Sequence, residues 1–405
     1  MIEIRTVEST EELRDATNGI VHYFGRERPD EEWAERWLKN FERERMLAAI
    51  DNGTIVGGAG AFTLRMTVPG GAQLGTAGVT VVGVLPTHRR RGILRSMMRT
   101  QLDDIHERGE PLAALWASEE TIYGRYGYGL ASLALEFGIP RIRGAFREGI
   151  EPVGLVRLVD QEEAAERMPP VYDAVQRLTP GMFERSASWW EFRVLADPPE
   201  FRFGGGPKQL AVLEVDGRPQ AYAIYRLNAA FGSLGPETTI VTLEVVGATP
   251  AATASIWRYL LDIDWTQTVA ARLQPLDGPL FLLLARPTFS RPVISDGLWI
   301  RLIDVGAALE QRAYTGDGTL VLDVRDEFCP WNEGRWQVGP GEAARTTGEA
   351  DLALDVSDLA GPYLGGFTFR DLQRAGRVEE LGEGAIIRAD ELFRTDGAPW
   401  CPEIF

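Results

Sequence analysis

The sequence predicts an α/β protein in which strand and helix segments form layers. Three observations support this fold class. Strand and helix patterns alternate through the first segment. At Val79–Met98 a strand is followed by a basic glycine turn and then by a helix. A second strand–proline–helix junction near Pro250 repeats this order of elements. Alternation of this kind indicates a sheet covered by helices.

The first segment shows its strand and helix signals in order. Ser9 and Glu12 form a capping box that opens one helix, and Asp30 opens a second. The other predicted elements are strands at Ile2–Val7, Met46–Ile50, Thr54–Thr63 (after an Asn-Gly turn), Thr76–Leu85, Pro111–Trp116 and Leu130–Gly138, and helices at Ile93–Glu107 and Glu119–Tyr126.

Composition and charge exclude several classes of function. The formal net charge of −17 argues against nucleic acid as a partner, since phosphate binding requires a basic surface, and it suits a cationic substrate. No apolar run approaches the length of a membrane span, and no signal peptide is apparent. Cys329 and Cys401 are too few for a disulfide framework or a zinc site. We therefore expect a cytoplasmic protein without a metal.

The segment Val79–Met98 carries the clearest functional signal. Its strand ends at Pro86, a basic turn runs from His88 to Gly92, and an amphipathic helix follows. Unpaired N–H groups at a helix N-terminus carry partial positive charge, and glycine allows a ligand to approach the backbone closely. Arginines there have the wrong sign for the helix dipole, which favours an anion site over the alternative of a solvated helix start.

This segment also resembles a known motif. Val82-Gly-Val84-Leu-Pro-Thr-His-Arg-Arg-Arg-Gly92 is similar to the acetyl-CoA motif of the GNAT superfamily of N-acetyltransferases, although Leu94 stands where Gly or Ala is usual. The triple arginine, the chain length and the C-terminus resemble the Eis (enhanced intracellular survival) family. That resemblance implies tandem GNAT domains, a sterol-carrier-like α+β domain and acetyl-CoA as acyl donor.

Three domains are expected, at 1–145, 146–290 and 291–405, with a linker at Arg141–Glu151. Val245–Pro250 and Ile256–Leu261 echo the first junction without its arginines or glycine, which indicates a duplicated domain unable to hold CoA; chance similarity is the alternative. In the last segment we predict strands at Thr319–Val324, Arg335–Val338 and Asp351–Val356, a turn region at Gly341–Thr347 and a helix from Ser357. The resemblance implies a sterol-carrier-like fold there, which we interpret as scaffold.

The resemblance assigns roles in holding the donor. The backbone N–H groups of Val82 and Val84 would bind pantetheine and polarise the thioester, with core packing as the ordinary role of the valines. The pyrophosphate would lie on Arg89, Arg90 and Gly92, where the helix begins at Ile93. Ser118 matches a residue near the cofactor, although a serine there could equally be a helix cap.

Acetyl transfer also needs an acid and a base. Ile122-Tyr123-Gly-Arg-Tyr-Gly-Tyr128 resembles the superfamily's Phe-Tyr-x-x-x-Gly-Phe signature, which places Tyr123 as the general acid; plain packing of the tyrosines is the alternative. In the Eis family the terminal carboxylate enters the active site. The chain ends Pro-Trp-Cys-Pro-Glu-Ile-Phe405, a composition typical of a buried tail, so Phe405 is the candidate base.

The resemblance implies that the acceptor is an amine of a cationic small molecule, such as an aminoglycoside or polyamine, or of a lysine. Trp33 matches an aromatic residue of the family's pocket and could instead be core, while Glu403 could pair with a cationic amine. Tyr23 and Trp116 stand where aminoglycoside-modifying relatives have polar or acidic groups. A CoA- or lipid-binding protein without catalysis and a protein-only lysine acetyltransferase are the alternatives. The resemblance also implies a homo-oligomer, a hexamer.

Overall fold

A computed structural model describes residues 2–233 and 235–405, and within them the chain forms two compact units. The first unit contains the chain up to Ser132, then Leu298–Pro399, then Ile404–Phe405. The second contains Leu133–Gly297 and Trp400–Glu403. The C-terminal tail therefore belongs to the second unit and then returns to the first for its last two residues.

The N-terminal part of the first unit alternates strands and helices as predicted. Ser9 caps the first helix by accepting from the backbone N–H of Glu12, and Asp30 caps the second by accepting from that of Trp33. The elements are β1 (Ile2–Thr6), α1 (Thr10–Val21), α2 (Glu31–Trp37), β2 (Met46–Asp51), β3 (Thr54–Thr67), β4 (Gln73–Val84), α3 (Ile93–Glu107), β5 (Leu112–Leu115), α4 (Glu120–Tyr123) and β6 (Gly129–Leu130).

The second unit has its own sheet and its own apolar core. Its elements are β7 (Leu133–Pro140), β8 (Leu155–Leu158), α5 (Gln161–Gln176), α6 (Ala187–Trp189), β9 (Gln209–Val215), β10 (Arg218–Asn228), β11 (Phe231–Gly232), β12 (Gly235–Pro236), β13 (Thr238–Gly247), α7 (Pro250–Asp262), β14 (Thr266–Gln274), α8 (Leu280–Leu283) and β15 (Val293–Asp296). A π-helical turn, Trp190–Leu195, follows α6. The main sheet has the order β15-β7-β14-β13-β10-β9-β8.

The returning segment adds a strand to the first sheet and builds a second one. Its elements are β16 (Trp299–Leu302), α9 (Val305–Gln311), β17 (Leu320–Arg325), β18 (Gly334–Gly339), β19 (Glu342–Arg345), β20 (Leu352–Asp355), α10 (Val356–Leu364), α11 (Phe369–Arg374), β21 (Val378–Glu380) and α12 (Ala385–Leu392). The first sheet has the order β1-β2-β3-β4-β5-β16-β6, and the second has the order β19-β18-β17-β20-β21.

Three local predictions were wrong. Leu130–Gly138 is not one strand: the backbone N–H groups of Ala131 and Ser132 donate to Leu298 O, which ends β6 before β7 begins in another sheet. Gly341–Thr347 is not a turn region throughout, because it contains β19, which pairs antiparallel with β18. The expected linker Arg141–Glu151 is part of the second unit, where Phe146 forms a β-bridge with Leu284.

Among the described residues, no helix combines the length and apolar character that a membrane crossing needs.

Candidate active site

A β-bulge interrupts β4 near its end. Gly58 pairs with Gly83 and Gly60 pairs with Thr80. Val81 and Val82 of β4 therefore lie together opposite the single residue of β3 between Gly58 and Gly60. Val81 has φ 48°, a left-handed conformation that costs energy for a β-branched residue. No residue type in this segment indicates the bulge, because valine is ordinary in a strand.

The parallel pair β4–β5 separates just before the bulge. Pairing runs from Thr76 opposite Leu112 to Gly78 opposite Ala114, whereas β4 continues to Val84. In the part of the chain that the structure describes, β4 beyond Gly78 therefore has no strand partner on its β5 side. Backbone groups on such an edge can bind an extended ligand. Val82 and Val84 lie on this stretch, and their half-buried side chains pack into the core.

The terminal residue lies at the point where the strands separate. Phe405 is buried, at 8% exposure, and its ring packs on the backbone of Gly78, where an added Cβ would lie 3.2 Å from two ring carbons. Thr80 Oγ1 donates a hydrogen bond of 3.1 Å to the main-chain oxygen of Phe405. The main-chain oxygen of Phe405 thus lies beside Thr80, the residue before the bulge.

The basic turn leads directly into α3. Gly92 occupies the N-cap position with φ 80° and no side chain to accept from the first helical turn, and Arg90 is also left-handed, with φ 61°. Ile93 starts the helix and is buried. The helix N-terminus thus has no side-chain cap among the described residues, which leaves its first N–H groups available to an anion.

The three arginines of this turn have different environments. Arg91 donates to Asp51 at 2.9 Å, and His88 lies 3.5 Å from the same carboxylate oxygen. Arg89 and Arg90 are exposed, and the Arg89 guanidinium lies 5.9 Å from the ring centroid of Tyr23. Arg89 and Arg90 can therefore turn toward a ligand, whereas Arg91 is engaged by the protein.

The second unit repeats the order of strand and helix, but the N-terminus of its helix is capped by a side chain. Strand β13 ends at Gly247 and α7 begins at Pro250, as the sequence echo predicts. Thr249 caps α7, and its hydroxyl oxygen accepts from the N–H of Ala252 at 3.2 Å. A polar side chain of the protein thus takes the place that Gly92 leaves open in the first unit.

Tyr123 ends α4, which follows β5. Its side chain is buried in the core cluster that contains Val79 and Leu115 and on which Val82 packs, and its ring meets that of Tyr128 edge-to-face at 6.0 Å. Burial, followed by the neighbouring Tyr126, raises the pKa of Tyr123 to about 12. In the described part of the chain its hydroxyl makes no hydrogen bond. Tyr123 is therefore protonated at neutral pH and has a proton to donate.

Ser118 and Trp33 are both accessible to solvent, Trp33 only in part. Ser118 is exposed between β5 and α4, and the N-cap of α4 is Glu119, so the cap alternative for this serine does not hold. Trp33 is half-buried and stacks on Trp37 at 4.8 Å between ring centroids. Trp37 in turn contacts Phe62, so one face of Trp33 belongs to an aromatic cluster that continues into the core.

Glu403 lies in a different environment from the other candidates. It belongs to the second unit, where its two carboxylate oxygens accept from Arg185 Nε at 3.0 Å and from Trp189 Nε1 at 2.7 Å. The other candidates all lie in the first unit, which brings the bulge, Phe405, the uncapped helix and Tyr123 into one fold. Sequence reasoning missed Thr80, whose hydroxyl has no motif to mark it.

Comparison with known families matches three parts of the chain. Residues 3–131 match an acetyltransferase (GNAT) domain, residues 181–302 match another acetyltransferase (GNAT) domain, and residues 305–402 match a sterol carrier protein domain. The predicted fold class, tandem GNAT domains followed by a sterol-carrier-like domain, is confirmed.

Whole-chain relatives and solved structures agree with these matches. The chain is 42% identical over 392 residues, 95% of each protein, to an uncharacterized N-acetyltransferase of Streptomyces avermitilis. It is 34% identical over 356 residues, 84% of each, to N-acetyltransferase Eis of Mycobacterium tuberculosis. The crystal structure of Eis1 from Mycobacterium abscessus covers all of both chains with a TM-score of 0.86 and 32% identity. A GCN5-related N-acetyltransferase from Anabaena variabilis shares the fold at 22% identity, with a TM-score of 0.83.

Proposed function

Because this chain belongs to the Eis family of GNAT N-acetyltransferases, we propose that it transfers the acetyl group of acetyl-CoA directly to the amine of a cationic small molecule or of a lysine side chain. The single observation that supports this best is the terminal carboxylate of Phe405, which Thr80 holds beside the bulge where β4 and β5 separate. A carboxylate at that place can accept a proton next to an acyl group bound along β4.

The donor would lie between β4 and the start of α3. Its pyrophosphate would accept from the uncapped N–H groups after Gly92, at Ile93 and beyond, and from Arg89 and Arg90. Backbone N–H groups of Val82 and Val84 would bind the pantetheine and polarise the thioester carbonyl. Ser118, exposed after β5, would contact the same chain. The second unit would bind no CoA, because Thr249 already caps its helix.

The proposed reaction is direct nucleophilic attack. The substrate ammonium gives a proton to the Phe405 carboxylate, the free amine attacks the thioester carbon, a C–N bond forms and the C–S bond breaks. Tyr123 donates its proton to the departing thiolate, and the tyrosinate is reprotonated by the proton that the new amide nitrogen loses. The net products are the acetylated amine, CoA thiol and one proton from the original ammonium.

The raised pKa of Tyr123 changes the balance of this step. A thiol has a pKa near 8.5, so a phenol with a pKa of about 12 donates less readily than an unperturbed one, by about 3 kcal/mol. Tyr123 therefore acts as a hydrogen-bond donor that transfers its proton late, as charge collects on sulfur.

The acceptor is inferred from charge and from the aromatic cluster. A net charge of −17 favours a cation, and the half-exposed Trp33 offers an aromatic face to it. We leave Glu403 out of the substrate contacts, because Arg185 and Trp189 already occupy its oxygens. We further propose that the protein forms a homo-oligomer, a hexamer. We also propose that it works in the cytoplasm, because its two cysteines are buried free thiols.

Thiol release from acetyl-CoA, measured over a panel of aminoglycosides, polyamines and lysine peptides, tests this function. We expect amine-dependent release from the native chain, and none from a chain extended by a few residues beyond Phe405, since the extension converts the carboxylate into an amide. Calorimetry should show that the extended chain still binds acetyl-CoA. Background release over the whole panel would favour a binding protein, and rejection of every small amine would favour a protein-only lysine acetyltransferase.

A further inference from the structure

A buried charge cluster holds the tail two residues before the terminal carboxylate. Glu403 accepts from Arg185 and from Trp189 through different carboxylate oxygens, which fixes both its position and its rotation. The Arg185 side chain is only 1% exposed. Two residues of chain span at most about 7 Å, so fixing Glu403 restricts the positions that the Phe405 carboxylate can reach.

Arg185 is itself held on every side. Its Nη1 and Nη2 donate to the two oxygens of Glu244 at 2.9 and 2.6 Å. Its guanidinium lies 3.8 Å from the ring centroid of Tyr172 and 4.9 Å from that of Trp190. Two nitrogens of the Arg185 guanidinium bind Glu244 and the third binds Glu403. This guanidinium therefore has little freedom to move.

Removing these three charged groups from water costs desolvation free energy. Glu244 and Glu403 are two carboxylates on one buried guanidinium. Two further cations interact with them, Arg193 with Glu403 and Lys208 with Glu244, and burial lowers the pKa of both. Buried ion pairs often add little to stability compared with apolar packing, and this cluster holds Glu403 in a fixed geometry.

We propose that Arg185 is a positioning residue for acetyl transfer: through Glu403 it holds the C-terminal tail so that the Phe405 carboxylate stays on Thr80. This inference rests on the proposed role of that carboxylate as the base. Arg185 touches neither the donor nor the acceptor in this scheme.

A cavity beside Arg185 offers a way to test it chemically. The cavity has a volume of about 590 Å³ and is also lined by Ala165, Trp190, Glu191 and Leu195. Removing the Arg185 side chain would extend this space to Glu244 and Glu403, and a small guanidinium ion could enter it.

The test is Arg185→Ala, assayed with and without millimolar methylguanidinium. We expect kcat to fall at least tenfold with KM for acetyl-CoA unchanged, since the donor site lies in the first unit, and added methylguanidinium to restore part of kcat. Arg226→Ala is the matched control: Arg226 is also a buried arginine of the second unit, paired with Asp197 at 2.7 Å. It should keep its kcat and show no rescue.

The outcomes separate this inference from the proposed function. A folded Arg185→Ala chain with native kcat would overturn the positioning role, even if the extended C-terminus abolished turnover. An extended chain with native turnover would instead overturn the base role. If Arg185→Ala does not fold, Glu403→Gln carries the test, because it keeps the bond from Trp189 and loses the ion pair; a native kcat there also overturns the inference.

Discussion

The proposed role of Phe405 depends on Thr80, whose hydroxyl donates to the main-chain oxygen of that residue, 325 positions away in sequence. A hydrogen bond to a charged group contributes about 1.5–3 kcal/mol when it is properly formed. At this position the bond also fixes where Phe405 lies relative to the bulge. The base that we propose therefore depends on one side chain that no motif marks.

We predict that Thr80→Val lowers kcat about tenfold, because valine keeps the shape of threonine and removes only the donor. KM for acetyl-CoA should stay the same. Thr76→Val is the control, since Thr76 lies on the same strand and its hydroxyl donates locally to Leu74 O. Equal losses of kcat in steady-state assays of the two variants would show that strand distortion, and not the bond to Phe405, is responsible.

Tyr123→Phe should lower kcat about a hundredfold without changing KM for acetyl-CoA, because only the proton donor is lost. Tyr126→Phe, a change in the same turn, is the control and should keep most of its activity. Since burial raises the pKa of Tyr123 to about 12, the native enzyme should keep the contribution of this acid at pH 10, where an unperturbed phenol is half ionised. A fall in kcat of the native enzyme near pH 10 that is missing from Tyr123→Phe would show that the pKa of Tyr123 is not raised, and a native kcat in Tyr123→Phe would contradict its role as the acid.

At the scale of elements, two similar strand–helix junctions differ in what ends the turn. The first has Gly92 and two exposed arginines before α3, and the second has Thr249 as a cap on α7. The N–H groups at the start of α3 are available to an anion, whereas those at the start of α7 are capped by the protein. Local sequence decides this difference, because a cap depends on one side chain at one position.

Arg90→Ala should raise KM for acetyl-CoA about tenfold, as the loss of a charge-assisted contact to phosphate, with an effect that shrinks as salt rises. Arg91→Ala should leave KM nearly unchanged, because Arg91 pairs with Asp51. The measurement is the dependence of initial rate on acetyl-CoA at low and high salt. A larger effect at Arg91 than at Arg90 would show that the phosphates lie elsewhere on the turn.

At the scale of the whole molecule, two units with related folds should hold one donor. Titration calorimetry is expected to give one acetyl-CoA per chain, because only the helix in the first unit has an uncapped N-terminus at this junction among the described residues. Saturating acetyl-CoA should also raise the melting temperature, since a ligand that binds the folded state stabilises it. Two equivalents bound per chain would refute the closed state of the second unit.

The sequence by itself determined the order of most elements, the layered class, the basic turn and the duplicated frame. These depend on periodicity, capping residues and glycine, which act within a few positions of one another. It also marked Tyr123 and the apolar tail as candidates.

Tertiary structure alone decided the rest. The bulge at Val81 depends on pairing with β3, the break after β6 depends on bonds to Leu298, and β19 forms because β18 lies beside it. Thr80 and Arg185 make their hydrogen bonds to Phe405 and Glu403, which lie more than two hundred positions away in sequence. A side chain's local propensity contains no information on such distant contacts, so only the folded chain shows where β4 and β5 separate and where Phe405 lies.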